Sequence, residues 1–242
     1  MSRLPDWLTD RPITHRGLHG SGVPENSMAA FQASIEAGLP IELDVQLSAD
    51  DQLVVHHDDH LQRLCGRQEL VRQLSLQELT ALTITGTDQQ PLSFAQTLEF
   101  VDGRVPLLVE IKTGECRNLR AQAAAAALRD YRGECAVQSF DPLIVGWFAK
   151  NAPHVLRGQL SGSFAEKKDM SWATKKLLQN LGLNGISKPD FVAYEYRAIN
   201  QARARLISQR WPLLLWTITA QQDMERAYAL ADNVIFEGFS PA

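Results

Sequence analysis

The chain has 242 residues, of which 45% are hydrophobic and 21% are charged, as in an ordinary globular protein. Its formal net charge of −4 gives no support for a nucleic-acid partner and argues against adhesion to an anionic membrane. The first residues lack the apolar core of a secretory signal, and no apolar run approaches the roughly 20 residues of a membrane span. Three cysteines without metal-ligand spacing predict reduced thiols and a cytoplasmic protein.

Eight runs of mostly apolar residues predict β-strands. Most of them are apolar throughout, a pattern typical of parallel strands that are buried on both faces. In chain order the predicted strands are Pro12–His15, Pro40–Val45, Pro106–Lys112, Cys135–Ser139, Val155–Leu160, Phe191–Tyr194, Leu213–Thr217 and Asn233–Phe236.

Helical patterns lie between these strands. Asn26 or Ser27 can cap a helix that runs to Ala37, and the alanine-rich stretch Arg117–Leu128 strongly favours a helix. Five more helices are predicted at Pro91–Val101, Pro142–Lys150, Ser171–Leu181, Ile199–Arg210 and Ala220–Leu230. Because strands and helices alternate without a hinge, the sequence predicts an α/β protein, a single (β/α)8 TIM barrel spanning residues 1–242.

One segment interrupts this alternation, between the second and third predicted strands. Residues 46–105 contain a short extended piece, Leu53–His57, and a helix around Leu76–Leu82 before the helix that begins at Pro91. A connection of this length usually has a function. We expect a small insertion that folds over the ends of the strands.

Charged residues occur at strand spacing where two apolar runs end. Glu42 and Asp44 follow the second strand's apolar part, and Glu110 and Lys112 follow the third's. Side chains at positions i and i+2 of a strand share a face, so each pair points to one side of the sheet. Active sites of such barrels lie at the carboxyl ends of the strands, where these residues converge.

Glu42, Asp44 and Glu110 offer oxygen atoms only, which suits Mg²⁺ or Ca²⁺ better than Zn²⁺. The alternative is that Glu42 and Asp44 form ordinary ion pairs at a strand end. Arg16 and Lys112 are candidates to hold an anion such as a phosphate, although Lys112 could merely balance the acids.

Two histidines, His15 and His57, follow strand-like runs and are the candidates for acid–base catalysis. His56 precedes His57 in an extended piece, so the two should face opposite ways. The other histidines are predicted to be structural: His19, His56, His60 and His154. Trp216 could stack on a small polyol or belong to the barrel core. Pro24-Glu25-Asn26-Ser27, taken alone, is a helix-capping signal with a structural role.

Seven short motifs stand in one order along the chain. They are His15-Arg16-Gly17, Pro24-Glu25-Asn26-Ser27, Glu42-Leu43-Asp44, Val54-Val55-His56-His57-Asp58, Glu110-Ile111-Lys112, Gln138-Ser139-Phe140 and Leu215-Trp216-Thr217. Together they resemble the motifs of the glycerophosphodiester phosphodiesterase family. The resemblance implies a (β/α)8 barrel that hydrolyses glycerophosphodiesters to glycerol 3-phosphate and an alcohol, with a small insertion after the second strand.

The resemblance also implies roles for particular residues. It implies one divalent cation, Mg²⁺ or Ca²⁺, bound by Glu42, Asp44 and Glu110. Catalysis would fall to His15 and His57, and the phosphate to Arg16 and Lys112. The implied partner is a small-molecule substrate. Which histidine is the base, and whether water or a glycerol hydroxyl attacks, stays open.

The chain departs from this family at its end, and other functions remain open. Where the family has a Thr-Asp pair and a proline, this chain has Phe236-Glu237-Gly238-Phe239-Ser240-Pro241. Val155 to Arg210 matches little, so no specificity is implied there. The alternatives are a lysophospholipid-cleaving phosphodiesterase, which an apolar cleft beside Trp216 would favour, a catalytically silent phosphodiester-binding relative, and another metal-dependent barrel such as a sugar-phosphate lyase or isomerase.

Overall fold

Ten β-strands occur in residues 4–20 and 22–240, the part of the chain that this computed structural model describes; Pro241 of the predicted final motif lies outside it. They are β1 (Ile13–Thr14), β2 (Ile41–Leu47), β3 (Leu53–Val55), β4 (Leu92–Ser93), β5 (Leu107–Ile111), β6 (Cys135–Ser139), β7 (Leu156–Ser161), β8 (Phe191–Glu195), β9 (Leu213–Ile218) and β10 (Asn233–Phe236). All eight predicted strands are present. β3 lies within the predicted extended piece, and β4 is additional.

Eight of these strands are parallel and close into a barrel, in the order β1, β2, β5, β6, β7, β8, β9, β10. Closure occurs at β1, which pairs with β10 through Ile13 and Ile235 and with β2 through Thr14 and Ile41. The predicted TIM barrel is therefore confirmed. β3 and β4 lie outside it, as an antiparallel extension of β2.

The helices of the described residues mostly lie between consecutive strands, as predicted. They are α1 (Trp7–Asp10), α2 (Met28–Glu36), α3 (Gln62–Cys65), α4 (Leu76–Thr80), α5 (Phe94–Val101), α6 (Arg117–Leu128), α7 (Pro142–Asn151), α8 (Trp172–Gln179), α9 (Asn184–Ser187), α10 (Gln201–Ser208) and α11 (Met224–Tyr228). The four-residue helices α1, α3 and α9 were not predicted, because one turn is too short to produce a helical period.

Several predicted helices begin later than expected, among them α10, which starts at Gln201 instead of Ile199. The helix predicted from Pro91 starts at Phe94, because Leu92 and Ser93 pair with β3 and the Ser93 hydroxyl accepts a hydrogen bond from Gln96 N. The helix predicted over Ala220–Leu230 is a 3-10 turn, Gln221–Asp223, followed by α11.

Side chains alternate between the inside and the outside of the barrel. Ile41, Leu43 and Val45 of β2 are fully buried in a core formed with the surrounding helices. Glu42 and Asp44 therefore point inward, as do Glu110 of β5 and Gln138 of β6. The pairing register sets Asp44 beside Glu110 and Glu110 beside Gln138. This alternation places acidic side chains inside the barrel at its carboxyl end.

The insertion between β2 and β5 has a small core of its own and is fastened to the barrel by ion pairs. Its buried apolar side chains are Val54, Leu61, Val71 and Leu79. Arg63 of α3 donates to both oxygens of Glu25, at 2.8 Å each, and to Asp58 Oδ2 at 2.6 Å. Burial disfavours the charged form of Glu25, but hydrogen bonds from Arg63 and Arg16 lower its pKa to about 2. Glu25 thus stays ionised and holds the insertion over the carboxyl end of the barrel.

A membrane-crossing helix is absent from residues 4–20 and 22–240, since each helix there is too short or too polar to span a bilayer.

The loop after β1 approaches α2 closely at Gly17. Its φ is +81°, and a Cβ built there would lie 2.8 Å from Ala30 Cβ and 2.9 Å from the Ala30 carbonyl carbon. Gly17 therefore meets two demands, a left-handed backbone and a contact with no room for a side chain. The close approach fixes the course of the chain just after His15 and Arg16.

We expect Gly17→Ala to destabilise the protein more than Gly86→Ala. Gly86 has a similar φ of +77°, but a Cβ added there would have nothing within 4 Å, so its substitution carries only the backbone cost, about 1–2 kcal/mol. Gly17→Ala adds overpacking against α2, a further roughly 1–3 kcal/mol. Urea unfolding of both variants and the parent protein measures the difference. Equal losses of stability would show that the loop does not need this close contact.

Candidate active site

Three carboxylates meet inside the carboxyl end of the barrel. Glu42 and Asp44 come from β2 and Glu110 comes from β5, with exposed fractions of 1%, 0% and 7%. One oxygen from each lies within 4.8 Å of the others. The three carboxylates thus converge as their strand spacing predicted. Together they are able to hold a divalent cation.

Two cationic side chains contact this acidic cluster but balance only part of it. Lys112 Nζ lies 2.8 Å from Glu110 Oε1 and 3.3 Å from Asp44 Oδ1. Arg16 Nε lies 3.3 Å from Asp44 Oδ2, while Arg16 Nη1 lies 2.7 Å from Glu25 Oε1. Arg16 is thus shared between Asp44 and Glu25. The contacts of Lys112 agree with both interpretations of the sequence, that it balances the acids and that it binds a phosphate. A cation beside the acids is also in position to bind an anion in the cavity.

The pKa values of Glu42 and Asp44 move in opposite directions. Burial, followed by the negative charges of Asp44 and Glu110, raises the pKa of Glu42 well above its ordinary value. Burial would also raise the pKa of Asp44, but the positive charges of Lys112 and Arg16 lower it instead. The cluster therefore holds more negative charge than its own cations compensate. An additional cation would remove this excess, so these residues fit a divalent metal.

Neutral side chains orient the same carboxylates. Asn26 Nδ2 donates to Asp44 Oδ2 at 2.9 Å, and Gln138 Nε2 donates to Glu42 Oε1 at 3.3 Å. The helix-capping interpretation of the segment 24–27 is correct only for Ser27, whose hydroxyl accepts from Ala30 N. Asn26 and Glu25 instead contact site residues, since Asn26 donates to Asp44 and Glu25 pairs with Arg16.

His15 contacts a carboxylate from the other end of the chain. Its Nδ1 lies 2.5 Å from Glu237 Oε2, directly after β10, and His19 Nε2 lies 3.6 Å from the same oxygen. Burial lowers the pKa of His15, against the opposing effect of Glu237. The hydrogen bond with His15 and the nearby His19 ring in turn lower the pKa of Glu237. Glu237 is therefore a charged acceptor that orients the His15 ring.

His57 makes an equivalent contact in the insertion. Its Nδ1 lies 2.6 Å from Asp58 Oδ1, and Asp58 is held in turn by Arg63. Burial disfavours the charged form of Asp58, but hydrogen bonds from Arg63 and His57 lower its pKa to about 2. As predicted, the two neighbouring histidines separate: His57 lines the cavity, whereas His56 is buried with its Nε2 3.4 Å from His60 O.

Both candidate catalytic histidines thus use Nδ1 to contact a carboxylate. A carboxylate accepts hydrogen bonds, so this contact favours the tautomer with the proton on Nδ1. The Nε2 atom of each ring is then left without that proton and is available to accept one. Such carboxylate–histidine pairs are the usual way in which proteins fix the orientation of a catalytic imidazole.

A cavity of about 1100 Å³ lies above the acidic cluster. Charged and imidazole groups line one part of it: His15, Arg16, Glu42, His57, His60, Arg63, Glu110 and Lys112. Asp44 is fully buried behind them. Apolar residues line another part: Phe140, Leu160, Phe164, Met170, Leu178, Trp216 and Ile235. The structure therefore brings every predicted site residue to this cavity or directly behind it.

Trp216 takes a position that is compatible with both of its predicted roles. It packs against the interior core of the barrel and also lines the cavity, with its ring 5.5 Å from that of Phe140 in an edge-to-face contact. Its Nε1 is buried and has no hydrogen-bond partner among the described residues. A buried donor without a partner is costly, so this N–H is ready to bind a polar group in the cavity.

Sequence reasoning missed four side chains of this site: Asn26, Asp58, Gln138 and Glu237. The first three lie within motifs that the sequence singled out, but their partners are far away in the chain. Glu237 lies at the end of a predicted strand, as His15 does. This position was the only feature of the sequence that indicated a role for Glu237 in the site. His19, predicted to be structural, contacts Glu237, whereas His154 is exposed and is not part of the cavity lining.

Known proteins share both the sequence and the fold. A model of the glycerophosphoryl diester phosphodiesterase family matches residues 15–236. A glycerophosphodiester phosphodiesterase of Bacillus altitudinis is 30% identical over 174 residues, which cover 65% of this chain and 69% of that protein. One of Caldanaerobacter subterraneus is 37% identical over 100 residues, 41% of this chain and 37% of the relative. Human lysophospholipase D GDPD1 is 37% identical over 110 residues, 45% of this chain and 34% of the relative.

The chain thus spans only about a third of the length of several curated relatives that it matches. Two solved structures share its fold over nearly the whole chain. A phosphodiesterase of Oleispira antarctica, in complex with the product sn-glycerol-3-phosphate, superposes with a TM-score of 0.80 at 20% identity, covering 95% of this chain and 93% of that one. A glycerophosphodiester phosphodiesterase of Thermotoga maritima superposes with a TM-score of 0.72 at 23% identity, covering 93% and 92%. With the family model matching residues 15–236, the chain belongs to the glycerophosphoryl diester phosphodiesterase family.

Proposed function

We propose that this protein hydrolyses glycerophosphodiesters to glycerol 3-phosphate and an alcohol, with one divalent cation and two catalytic histidines. The observation that carries the proposal is that an acidic cluster, two carboxylate-bound imidazoles and two cationic side chains adjoin one cavity. Relatives support the reaction: the Bacillus altitudinis protein is a glycerophosphodiester phosphodiesterase, and the Oleispira antarctica structure holds sn-glycerol-3-phosphate.

Glu42, Asp44 and Glu110 would hold the cation, which we propose to be Mg²⁺ or Ca²⁺ because all three ligands are oxygens. When bound, such a cation supplies Lewis acidity and draws negative charge away from a phosphate. Asn26 and Gln138 keep the Asp44 and Glu42 carboxylates oriented through their amide groups.

Arg16 and Lys112 would bind the phosphate oxygens. Burial opposes the charge on each, but the pKa values of Arg16 and Lys112 are raised by neighbouring carboxylates, so both remain positive. Both side chains also line the cavity. Arg16 offers a planar fork of donors and Lys112 a compact ammonium, and fixed donors of this kind stabilise charge that grows on a reacting phosphate.

His15 and His57 would move the protons of the reaction at their Nε2 atoms. One, unprotonated at Nε2, takes the proton of the attacking hydroxyl group. The other must enter the step with a proton on Nε2 as well as on Nδ1, and it gives the Nε2 proton to the oxygen of the departing alcohol. Glu237 and Asp58 hold the rings in position and stabilise whichever imidazole becomes positively charged. Trp216 would donate its free Nε1–H to a hydroxyl or phosphate oxygen of the substrate.

Lysophospholipids are a second candidate substrate class, hydrolysed at the same site. The apolar side of the cavity favours them, since Phe140, Phe164 and Trp216 form consecutive edge-to-face contacts there and Met170 and Leu178 lie in the same lining. Such a surface can receive an acyl chain. The human relative is a lysophospholipase D.

We further propose that residues 1–242 act as one phosphodiesterase domain, in which the insertion, residues 46–105, supplies His57. The cytoplasmic location stays a prediction from cysteine usage and the N-terminal sequence.

Incubation with a panel of glycerophosphodiesters and their acylated counterparts tests the activity and ranks the two substrate classes. We expect glycerol 3-phosphate from the deacylated substrates and lysophosphatidate from the acylated ones. Chelation should abolish release, and either Mg²⁺ or Ca²⁺ should restore it. Heat-denatured protein is the blank. Product formation that continues undiminished after complete chelation would contradict the metal requirement, and no product from any substrate would contradict the function.

Replacing either proposed catalytic histidine tests the mechanism. We expect His15→Asn and His57→Asn each to lower kcat by about 10²–10⁴-fold, the usual contribution of a general acid or base, while leaving the fold unchanged. His60→Asn is the matched control, because His60 lines the same cavity without a carboxylate contact at its ring. Steady-state kinetics and circular dichroism measure both effects. A loss in His60→Asn as large as in the other two would show that the assignment is wrong.

A further inference from the structure

A second group of ligand atoms lies beside the acidic cluster and differs from it in chemistry. His15 Nδ1, His19 Nε2 and a Glu237 oxygen all lie within 4.8 Å of one another. His19 Nε2 is buried and makes no hydrogen bond within the described residues, although it lies 3.6 Å from Glu237 Oε2. Two imidazole nitrogens and one carboxylate oxygen therefore converge, and one of the nitrogens has no other partner.

This set of donors suits a different metal from the acidic cluster. Two histidines and a glutamate are a common ligand set for Zn²⁺, whereas three carboxylates favour Mg²⁺ or Ca²⁺. Tetrahedral Zn²⁺ with ligands at about 2.0–2.2 Å requires ligand atoms roughly 3.3–3.5 Å apart. The His19–Glu237 distance of 3.6 Å already fits this requirement, and the His15–Glu237 distance of 2.5 Å must open by about 1 Å.

The surroundings permit a fourth ligand. The side chains of His15, His19 and Glu237 have exposed fractions of 14%, 18% and 30%, so water can reach the site. Two of the three residues also stand outside the motifs that define the family resemblance, since Glu237 occupies the departure at the end of β10 and His19 follows the first motif.

We propose that His15, His19 and Glu237 form a Zn²⁺ site that inhibits the enzyme. Zn²⁺ at His15 Nδ1 displaces the proton that this nitrogen shares with Glu237, and the neutral ring then carries its proton on Nε2. If His15 is the base, an Nε2 atom that already bears a proton cannot accept another from a nucleophile. If His15 is the acid, a neutral Nε2–H releases its proton far less readily than an imidazolium, and the adjacent metal charge opposes formation of that imidazolium. Binding itself is independent of the proposed function, whereas the inhibition rests on it.

The test uses the full chain with Mg²⁺ in excess, to keep the acidic cluster filled, and Zn²⁺ supplied from a chelator buffer. Competition with a chromophoric chelator gives the Zn²⁺ affinity, and the visible absorption of Co²⁺ in place of Zn²⁺ reports tetrahedral nitrogen–oxygen ligation. We expect His19→Gln to weaken Zn²⁺ binding by at least about tenfold, since loss of a direct ligand should cost no less than the 10–100-fold typical of an outer-shell partner. The tetrahedral Co²⁺ spectrum should disappear.

His154→Gln is the matched control, because it removes an exposed histidine elsewhere and should leave binding unchanged. Glu237→Gln, assayed for binding alone, provides a second variant should His19→Gln fold poorly. Without Zn²⁺, His19→Gln should keep the parent turnover; with Zn²⁺, it should require at least about tenfold more metal for half-inhibition.

Three outcomes separate the parts of this proposal. Equal Zn²⁺ affinity in His19→Gln, Glu237→Gln and the parent protein would overturn the site. If rising Mg²⁺ concentrations displace the Zn²⁺, the Zn²⁺ is bound at the acidic cluster. This result would also overturn the site. Zn²⁺ that binds as predicted but leaves turnover unchanged would support the site and contradict the catalytic role of His15.

Discussion

The charges of three carboxylates buried inside the barrel must be balanced, and this requirement sets the arrangement of the residues around them. Glu42, Asp44 and Glu110 are almost inaccessible to solvent, and charges in such places are costly unless they are paired. Lys112 pairs with Glu110 and Asp44, but Arg16 divides its contacts between Asp44 and Glu25. Burial, followed by the negative charges of Asp44 and Glu110, raises the pKa of Glu42. A barrel end organised in this way is suited to take up a cation.

The same ion pairs connect the insertion to the catalytic end of the barrel. A continuous chain of contacts runs from Asp44 through Arg16, Glu25, Arg63 and Asp58 to His57. The insertion therefore does more than cover the strand ends, because its attachment sets the position of one imidazole. His15, in contrast, is held by the last strand through Glu237. The two histidines thus depend on opposite ends of the chain, and the closed barrel is what brings those ends together.

Much of the fold follows from local patterns in the sequence. The parallel strands are long apolar runs, and α6 coincides with the alanine-rich stretch, because burial and helix propensity act over neighbouring residues. The acids were predictable because strand spacing and barrel topology together fix where they point. Short elements such as α1, α3 and α9 carry no periodic signal, and Ser93 delays the start of α5 by a cap that competes with Pro91.

The partners of the site residues were not predictable, because they depend on distant parts of the chain. His15 and Glu237 are 222 positions apart, and Arg63 and Glu25 are 38 apart. Nothing in the local sequence shows that Glu237 contacts a histidine and does not form an ordinary ion pair at a strand end. Likewise, nothing local shows that Asn26 contacts Asp44 and does not cap a helix. Only the closure of the barrel and the docking of the insertion convert these separate polar residues into one network.

Anomalous diffraction from crystals grown with Mn²⁺ and glycerol 3-phosphate would show whether the three carboxylates hold a divalent cation beside the substrate phosphate. Mn²⁺ shares the preference of Mg²⁺ for oxygen ligands and scatters anomalously. We expect one strong anomalous peak in contact with Glu42, Asp44 and Glu110, with the phosphate beside it and within hydrogen-bond reach of His15, His57, Arg16 or Lys112. An acidic cluster that stays free of metal while glycerol 3-phosphate occupies the cavity would contradict it.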